Sequence, residues 1–239
     1  MSLDVLAIGA HPDDVEIACA GTVIKLVKQG CRVGLVDLTE GELGTRGTRE
    51  IRAREAQQAA KLLGVEFREN LAMPDGNIEV TPPNRLKVIQ VIRKYRPRIL
   101  LFPHWVERHP DHEHAHRLCR EAWFFAGLEK IRTVLDGLTQ EPYRPRSYYH
   151  YMQAYEFAPS FIVDISDVYG QRMEVLRAFS SQFYNPESEE RETFLSTPDF
   201  LDLLRARFEY FGDRIGTKYG EPFHSVNMVG LSELTALTL

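Results

Sequence analysis

The chain has 239 residues, of which 44% are hydrophobic and 26% charged, and this length and composition fit one α/β domain covering residues 1–239. Its net charge of −5 gives no overall attraction to nucleic acids or anionic membranes, so we expect neither as a partner. No stretch approaches the ~18 apolar residues of a membrane span, and the first residues lack a signal-peptide pattern. We therefore predict a cytoplasmic protein.

Alternating strands and helices are predicted in the first half of the chain. Runs rich in β-branched residues indicate strands, and amphipathic segments that end at Gly30 and Gly64, or begin at Thr81-Pro82, indicate helices. The predicted order is strand Leu3–Gly9, helix Val15–Gln29, strand Cys31–Thr39, helix Thr48–Leu63, strand Val65–Leu71, helix Pro82–Tyr95 and strand Ile99–Pro103. Three such strand–loop–helix units predict a Rossmann-like, three-layer α/β/α fold with a mostly parallel sheet.

The second half of the chain has weaker signals. A helix is expected to continue past His116 through Phe125, and Gly137–Arg146 is loop-like. Further predicted elements are the strands Ser147–Met152 and Phe161–Ile165, a helix that begins at Ser166 or Asp167 and reaches Phe179, and a helix from Thr197-Pro198 to Gly212.

Polar residues concentrate in the loops that follow the predicted strands. In an open parallel sheet these loops share one rim, where ligands bind. The first loop contains His11, Asp13 and Asp14, and five of the eight histidines lie between positions 104 and 116 in the fourth. The first loop lacks the G-x-G-x-x-G pattern of a dinucleotide site. Imidazoles and carboxylates at this density suit a divalent ion such as zinc, held by two histidines and one aspartate with a position open for water; spacing alone does not distinguish Zn²⁺ from Fe²⁺.

Hydrolysis at such an ion needs a base that is not itself a ligand. Asp13 and Asp14 are adjacent, so one can bind the metal while the other takes a proton from water as it attacks a carbonyl. Spacing leaves open which residue has which role. His109, kept protonated by Asp111, fits a group that stabilises the oxyanion or protonates the leaving amine, and we expect Asp111 to orient a histidine.

Two motifs together resemble one known family. Ala10-His-Pro-Asp-Asp14, and His109-Pro-Asp-His112 in the fourth loop, are similar to the LmbE/PIG-L family of metal-dependent N-acetylglucosaminyl deacetylases. Within that family the chain resembles, nearly end to end, the bacillithiol-pathway enzymes that deacetylate N-acetylglucosaminyl-malate.

The resemblance implies specific roles, a cofactor and partners. It makes Asp13 the general base, His109 the second catalytic histidine, and the metal ligands His11, Asp14 and His112. It also implies Zn²⁺ or Fe²⁺ as the metal, a small sugar conjugate as the substrate, and a homo-oligomer such as the hexamer of its relatives.

Three polar residues are candidates for binding the substrate. Arg52 continues the buried face of the second predicted helix toward the rim, and it matches an arginine of the family pattern. Arg108, beside His109, is a candidate for the malate carboxylates. Asp75 can accept hydrogen bonds from sugar hydroxyl groups.

Alternative functions remain open from the sequence. The segment His112-Glu113-His114-Ala115-His116 satisfies the metallopeptidase pattern H-E-x-x-H, which would make Glu113 the base and leave the first loop without a role. A different N-acetylglucosamine conjugate is another alternative. A third is a non-catalytic, metal-dependent sugar-binding module, although binding alone needs no spare base such as Asp13.

Overall fold

One sheet contains most of the strands of the protein. The structure, a computed structural model, describes residues 2–231. The strands of this sheet are β1 (Val5–Gly9), β2 (Val33–Thr39), β3 (Phe67–Met73), β4 (Ile99–Pro103), β7 (Ser147–Tyr151), β8 (Phe161–Asp164) and β9 (Gly220–His224), and a separate hairpin pairs β5 (Val134–Leu135) with β6 (Leu138–Thr139). The strand order is β3-β2-β1-β4-β7-β9-β8. The first five of these are mutually parallel, whereas β9 is antiparallel to both of its neighbours, so the predicted mostly parallel sheet is confirmed.

Helices cover both faces of the sheet. They are α1 (Asp14–Lys28), α2 (Arg49–Leu63), α3 (Pro82–Tyr95), α4 (Pro110–Ala126), α5 (Tyr169–Arg177) and α6 (Phe200–Asp213). Val5 and Ala7 of β1 pack in a core with α1, α2, α5 and α6, whereas Leu6 and Ile8 pack in a second core with α3 and α4. Successive strand residues point to opposite faces, and because both faces are covered here, β1 is apolar along its whole length. This is the expected three-layer arrangement.

The C-terminal half differs from the prediction in detail. α5 begins at Tyr169, and α6 begins at Phe200, each a few residues after the expected cap. β9 was not predicted, and Pro222 lies within it, a residue that normally argues against a strand. Of the helices in residues 2–231, none has the length and apolar character needed to cross a membrane.

A buried ion pair stabilises a break in the regular geometry of α1. The helix loses its regular geometry at Cys19, where φ is −149° and ψ is 26°. The Glu221 carboxylate accepts a hydrogen bond from the backbone N–H of Gly21 at 2.9 Å, and Arg172 donates to the carbonyl oxygen of Ile17 at 2.6 Å. Arg172 and Glu221 also contact each other at 3.1 Å, and both are fully buried. The pair therefore replaces hydrogen bonds lost at the interruption and ties α1 to β9.

Candidate active site

A cavity of about 480 Å³ lies at the rim where the parallel strands end. Eight residues selected from the sequence line it: His11, Asp13, Asp14, Arg52, Asp75, Arg108, His109 and His112. Asp111 is fully buried and contacts one of these lining residues, His11. The loops after β1, β3 and β4 contribute most of this set, as expected where the carboxyl ends of parallel strands meet.

The loop after β1 holds two aspartates in different backbone conformations. Asp13 has φ 108°, in the left-handed region that residues other than glycine rarely adopt. Asp14 begins α1, and its Oδ2 accepts a hydrogen bond from the backbone N–H of His11 at 2.9 Å. Such a strained residue persists where its surroundings fix it, and Arg52 fixes this one by donating to the carbonyl oxygen of Pro12 and to Asp13 Oδ2.

The start of α4 supplies the two histidines of the second motif. His109 caps this helix, with its Nδ1 accepting a hydrogen bond from the backbone N–H of Asp111 at 3.2 Å, and Pro110 occupies the first turn. His112 follows in the same turn. Ring nitrogens of His11, His109 and His112 lie within 4.8 Å of one another. The fold thus brings the two motifs to one point.

Asp14 lies between two of these imidazoles. Its Oδ1 is 3.1 Å from Nε2 of His112, and its Oδ2 is 3.6 Å from Nδ1 of His11. Burial raises the pKa of Asp14, but the two imidazoles outweigh burial and hold the pKa well below its usual value. The carboxylate therefore stays ionised among nitrogen donors.

Asp13 has the opposite electrostatic balance. Burial raises the pKa of Asp13 to about 7, although the Arg52 guanidinium, 3.3 Å from Oδ2, acts to lower it. The neighbouring Asp14 carboxylate also raises this pKa. A carboxylate with a pKa near neutrality accepts a proton more readily than an ordinary aspartate does.

Comparisons with known proteins agree with this geometry. The model of the PIG-L family, described as GlcNAc-PI de-N-acetylase, matches residues 6–123. The chain is 34% identical over 229 residues to the diacetylchitobiose deacetylase of Thermococcus kodakarensis, covering 91% of this chain and 80% of that protein.

The chain belongs to the PIG-L family. As a PIG-L deacetylase it is an amide hydrolase. The structure of the conserved protein TT1542 from Thermus thermophilus is similar with a TM-score of 0.86 and 38% identity, covering 97% of this chain and 98% of that one. The probable N-acetyl-alpha-D-glucosaminyl L-malate deacetylase 2 of Bacillus anthracis is 27% identical over 197 residues, which are 75% of this chain and 81% of that protein.

PIG-L deacetylases depend on a metal ion, and the chemistry of this donor set fits one. Asp14, Asp75 and Asp111 each place a carboxylate oxygen within 3.6 Å of a ring nitrogen of His11. Buried negative charge of this density favours a cation, and two imidazoles with one carboxylate match the open, three-ligand pattern of catalytic zinc. The structure groups potential ligand atoms as His11 with His109 and His112, and as His11 with Asp75 and Asp111, so it brings the two predicted histidine ligands together; the full set of His11, Asp14 and His112 stays a prediction.

Asp111 contacts a different histidine from the one expected. Its Oδ2 lies 3.3 Å from Nε2 of His11, and its two carboxylate oxygens accept hydrogen bonds from the backbone N–H groups of Gly76 (2.8 Å) and Ile78 (3.2 Å). Only the backbone N–H of Asp111 reaches His109. Burial and the neighbouring His11 and His112 lower the pKa of His109. The predicted protonated His109 paired with the Asp111 carboxylate is therefore wrong, because α4 turns that carboxylate toward His11.

The three predicted substrate contacts differ in availability. Arg52 is buried and donates to the carbonyl oxygens of Gly41 (3.0 Å) and Pro12 (2.7 Å) as well as approaching Asp13. These bonds make Arg52 a group that fixes the Asp13 loop. Asp75 lies 3.0 Å from His11 Nε2 and accepts from the backbone of Leu43. Arg108 is exposed at the cavity, with its guanidinium 4.4 Å from the Phe194 ring centre.

The metallopeptidase interpretation does not fit the structure. His116 directs Nδ1 to the carbonyl oxygen of Pro103 at 3.1 Å, and neither it nor Glu113 lines the cavity. Glu113 instead accepts a hydrogen bond from the backbone of Glu107 at 3.1 Å. Within residues 2–231, His116 joins no group of potential metal donors with His112.

Two residues at the site were given no role by the sequence analysis. Gln153, after β7, donates from Nε2 to Asp14 Oδ1 at 2.8 Å. Glu107 lies 2.8 Å from His104 and 4.0 Å from Nδ1 of His112. Burial raises the pKa of Glu107, but these two histidines outweigh burial and lower the pKa to about 2. Gln153 directly follows a predicted strand, so the rule that selected the other rim residues could also have selected this one.

Proposed function

We propose that the chain, as one domain spanning residues 1–239, is a zinc-dependent enzyme that removes the acetyl group from the N-acetylglucosamine unit of a small glycoside. The observation that carries this proposal is the loop after β1. Asp14 contacts both predicted histidine ligands there, while the adjacent Asp13 lines the same cavity and is paired with Arg52 at 3.3 Å. A bound divalent cation polarises the amide carbonyl and makes water a better nucleophile at neutral pH.

In this proposal Asp13 takes the proton of the attacking water. Its pKa of about 7 suits a base that must both accept a proton and release it again. Arg52 donates to Asp13 Oδ2 and to the carbonyl oxygen of Pro12, and these contacts fix the position of the base. Asp111, through Nε2 of His11, orients that imidazole.

His109 is the proposed hydrogen-bond donor to the developing oxyanion. Because its Nδ1 accepts from a backbone N–H, we infer that the neutral ring carries its proton on Nε2. The lowered pKa of His109 keeps the ring neutral, so it donates to the oxyanion as an imidazole N–H. As the C–N bond breaks, the leaving amine takes the proton that Asp13 received from the water.

Two glycosides are candidate substrates. The first is N-acetylglucosaminyl-malate, the bacillithiol precursor expected from the sequence, whose carboxylates would meet the exposed guanidinium of Arg108. The second is N,N′-diacetylchitobiose, which is favoured by the similarity to the Thermococcus kodakarensis enzyme over 91% of the chain.

Acetate release tests the proposal. The purified protein, with its metal content measured, is incubated with each glycoside and with free N-acetylglucosamine. We expect release from at least one glycoside, loss of activity with a chelator, and recovery on adding Zn²⁺; stronger recovery with Fe²⁺ would revise the metal. Absence of acetate from all three compounds at full metal loading would contradict the proposal. The cytoplasmic location and the homo-oligomer remain predictions from the sequence.

A further inference from the structure

The cavity has a second, apolar part of its lining that comes from the C-terminal half of the chain. One face of α6 lines it with Phe200, Leu203, Leu204 and Arg207. The segment before α6 contributes Phe194. Zinc binding and amide hydrolysis need none of these apolar side chains. They therefore call for a separate explanation.

Several of these apolar side chains are exposed at the cavity. Leu203 is 65% exposed and Phe194 48%, and Leu43, which lines the cavity from the loop after β2, is 71% exposed. Single exposed apolar residues are ordinary, but a group that borders one cavity marks a ligand-binding surface. The group is continuous with the predicted catalytic residues, so the molecule that reaches those residues also passes this surface.

Arg108 adds a polar edge to the apolar lining. Its guanidinium lies over the Phe194 ring, 4.4 Å from the ring centre, and this contact joins the loop after β4 to the segment before α6. Within the described part of the chain, the Arg108 side chain forms no hydrogen bond or ion pair. Arg207, in contrast, donates to the backbone carbonyl oxygens of Gln153 and Ala154. Stacking thus orients Arg108 while its N–H groups stay available to a ligand.

We infer that Phe194 and Leu203 form an aglycone subsite, which binds a substrate whose aglycone presents an apolar face and places a carboxylate or hydroxyl group at Arg108. This inference rests on the proposed function, since it concerns the part of the glycoside that is not deacetylated. The apolar face excludes water from Phe194 and Leu203, and each added methylene that becomes buried strengthens binding.

Two N-acetylglucosaminides that differ only in the aglycone, methyl and n-hexyl, test the subsite. Dissociation constants are measured by calorimetry on the metal-loaded Asp13→Asn variant, and acetate release is measured on the unmodified chain. We expect the hexyl glycoside to bind at least about tenfold more tightly than the methyl glycoside and to show a correspondingly higher kcat/KM. Equal dissociation constants for the two would overturn the inference.

Variants test whether the preference for the hexyl glycoside arises at this part of the cavity. The double variant Phe194→Ala/Leu203→Ser should reduce the hexyl preference to about twofold or less. Tyr210→Ala is the matched control, because Tyr210 is a large aromatic residue of α6 that is 52% exposed and does not line the cavity. A preference that survives the double variant, or a change of oligomeric state in place of a change in binding, would refute the subsite.

The same measurements separate the two proposals. Hexyl-selective binding without acetate release from any glycoside would contradict the proposed deacetylation and support the subsite. Acetate release at equal rates from both glycosides, with equal binding, would support deacetylation and contradict the subsite.

Discussion

Two histidines one turn apart on α4 lie in opposite environments. His112 faces the Asp14 carboxylate at 3.1 Å, and although burial lowers its pKa, this carboxylate outweighs burial and raises the pKa to about 9. His116 faces the carbonyl oxygen of Pro103 and the ring of His150, and burial lowers its pKa to about 4. The charge of the facing groups, and not the position on the helix, distinguishes a predicted metal ligand from a packing residue.

The same contrast extends to the wider surroundings of each histidine. Around His112 lie Asp14 and Glu107, whereas His116 packs against Phe102 and Trp105 with ring centres at 5.9 and 6.2 Å. An imidazole among carboxylates can exchange its proton for a cation, whereas an imidazole among aromatic rings stays neutral.

Removing the histidine that faces carboxylates should have the largest effect. His112→Ala is expected to lose stoichiometric metal, with affinity reduced by more than the ~100-fold typical of changes in outer-shell partners, and to lose activity. His116→Gln, one turn away, should retain both metal and activity, because its amide can still donate to Pro103. Metal analysis after gel filtration measures the difference. A metal-free His116→Gln would show that the comparison is wrong.

Removing the base without removing a ligand separates rate from metal binding. Asp13→Asn should lower kcat by about 10²–10⁴-fold, the usual contribution of a general base, at unchanged metal content. Acetate release and metal analysis on one preparation test both parts. Loss of metal in this variant would make Asp13 a ligand, and an unchanged rate would remove it from the mechanism.

A variant of Gln153 tests whether its hydrogen bond to the Asp14 carboxylate contributes to metal affinity. Gln153→Leu removes the 2.8 Å hydrogen bond to Asp14 Oδ1 and should weaken metal affinity by about 10–100-fold, as changes in outer-shell partners do. Gln182→Leu is the matched control, since Gln182 also lines the cavity but donates to Arg46 and Ser181. Chelator competition measures both affinities, and equal values for the two variants would contradict a positioning role.

The fourth effect concerns stability against acid and not metal binding or activity. Burial lowers the pKa of His150 to about 3, so this group binds a proton in the unfolded chain before it does so in the folded one. Its contribution to stability is complete above the unfolded pKa of about 6.5 and is lost as the pH falls toward about 3. His150→Phe should flatten the pH dependence of the unfolding free energy in that range by up to about 1.4 kcal/mol per pH unit. Denaturant titrations of both proteins at several pH values measure it; an identical slope would contradict this account.

Local sequence patterns predict much of the fold. Apolar runs with glycine or proline boundaries identify β1 to β4 and the helices between them, because side-chain period and turn chemistry are local properties. The same patterns failed at β9. Its central Pro222 argues against a strand, and its pairing with β7 and β8 depends on residues far away in the chain.

The sequence alone determined that the first and fourth loops share one rim, and that their imidazoles and carboxylates suit a divalent cation, since strand order in a parallel sheet places both loops at the same edge. Which atoms meet at the rim depends on the packing of the folded chain. It directs Asp111 to His11 instead of His109, engages Arg52 with Asp13, and brings Gln153 to Asp14 across 139 positions of sequence. These choices follow from the packing of whole elements against one another, which fixes side-chain directions that no local spacing encodes.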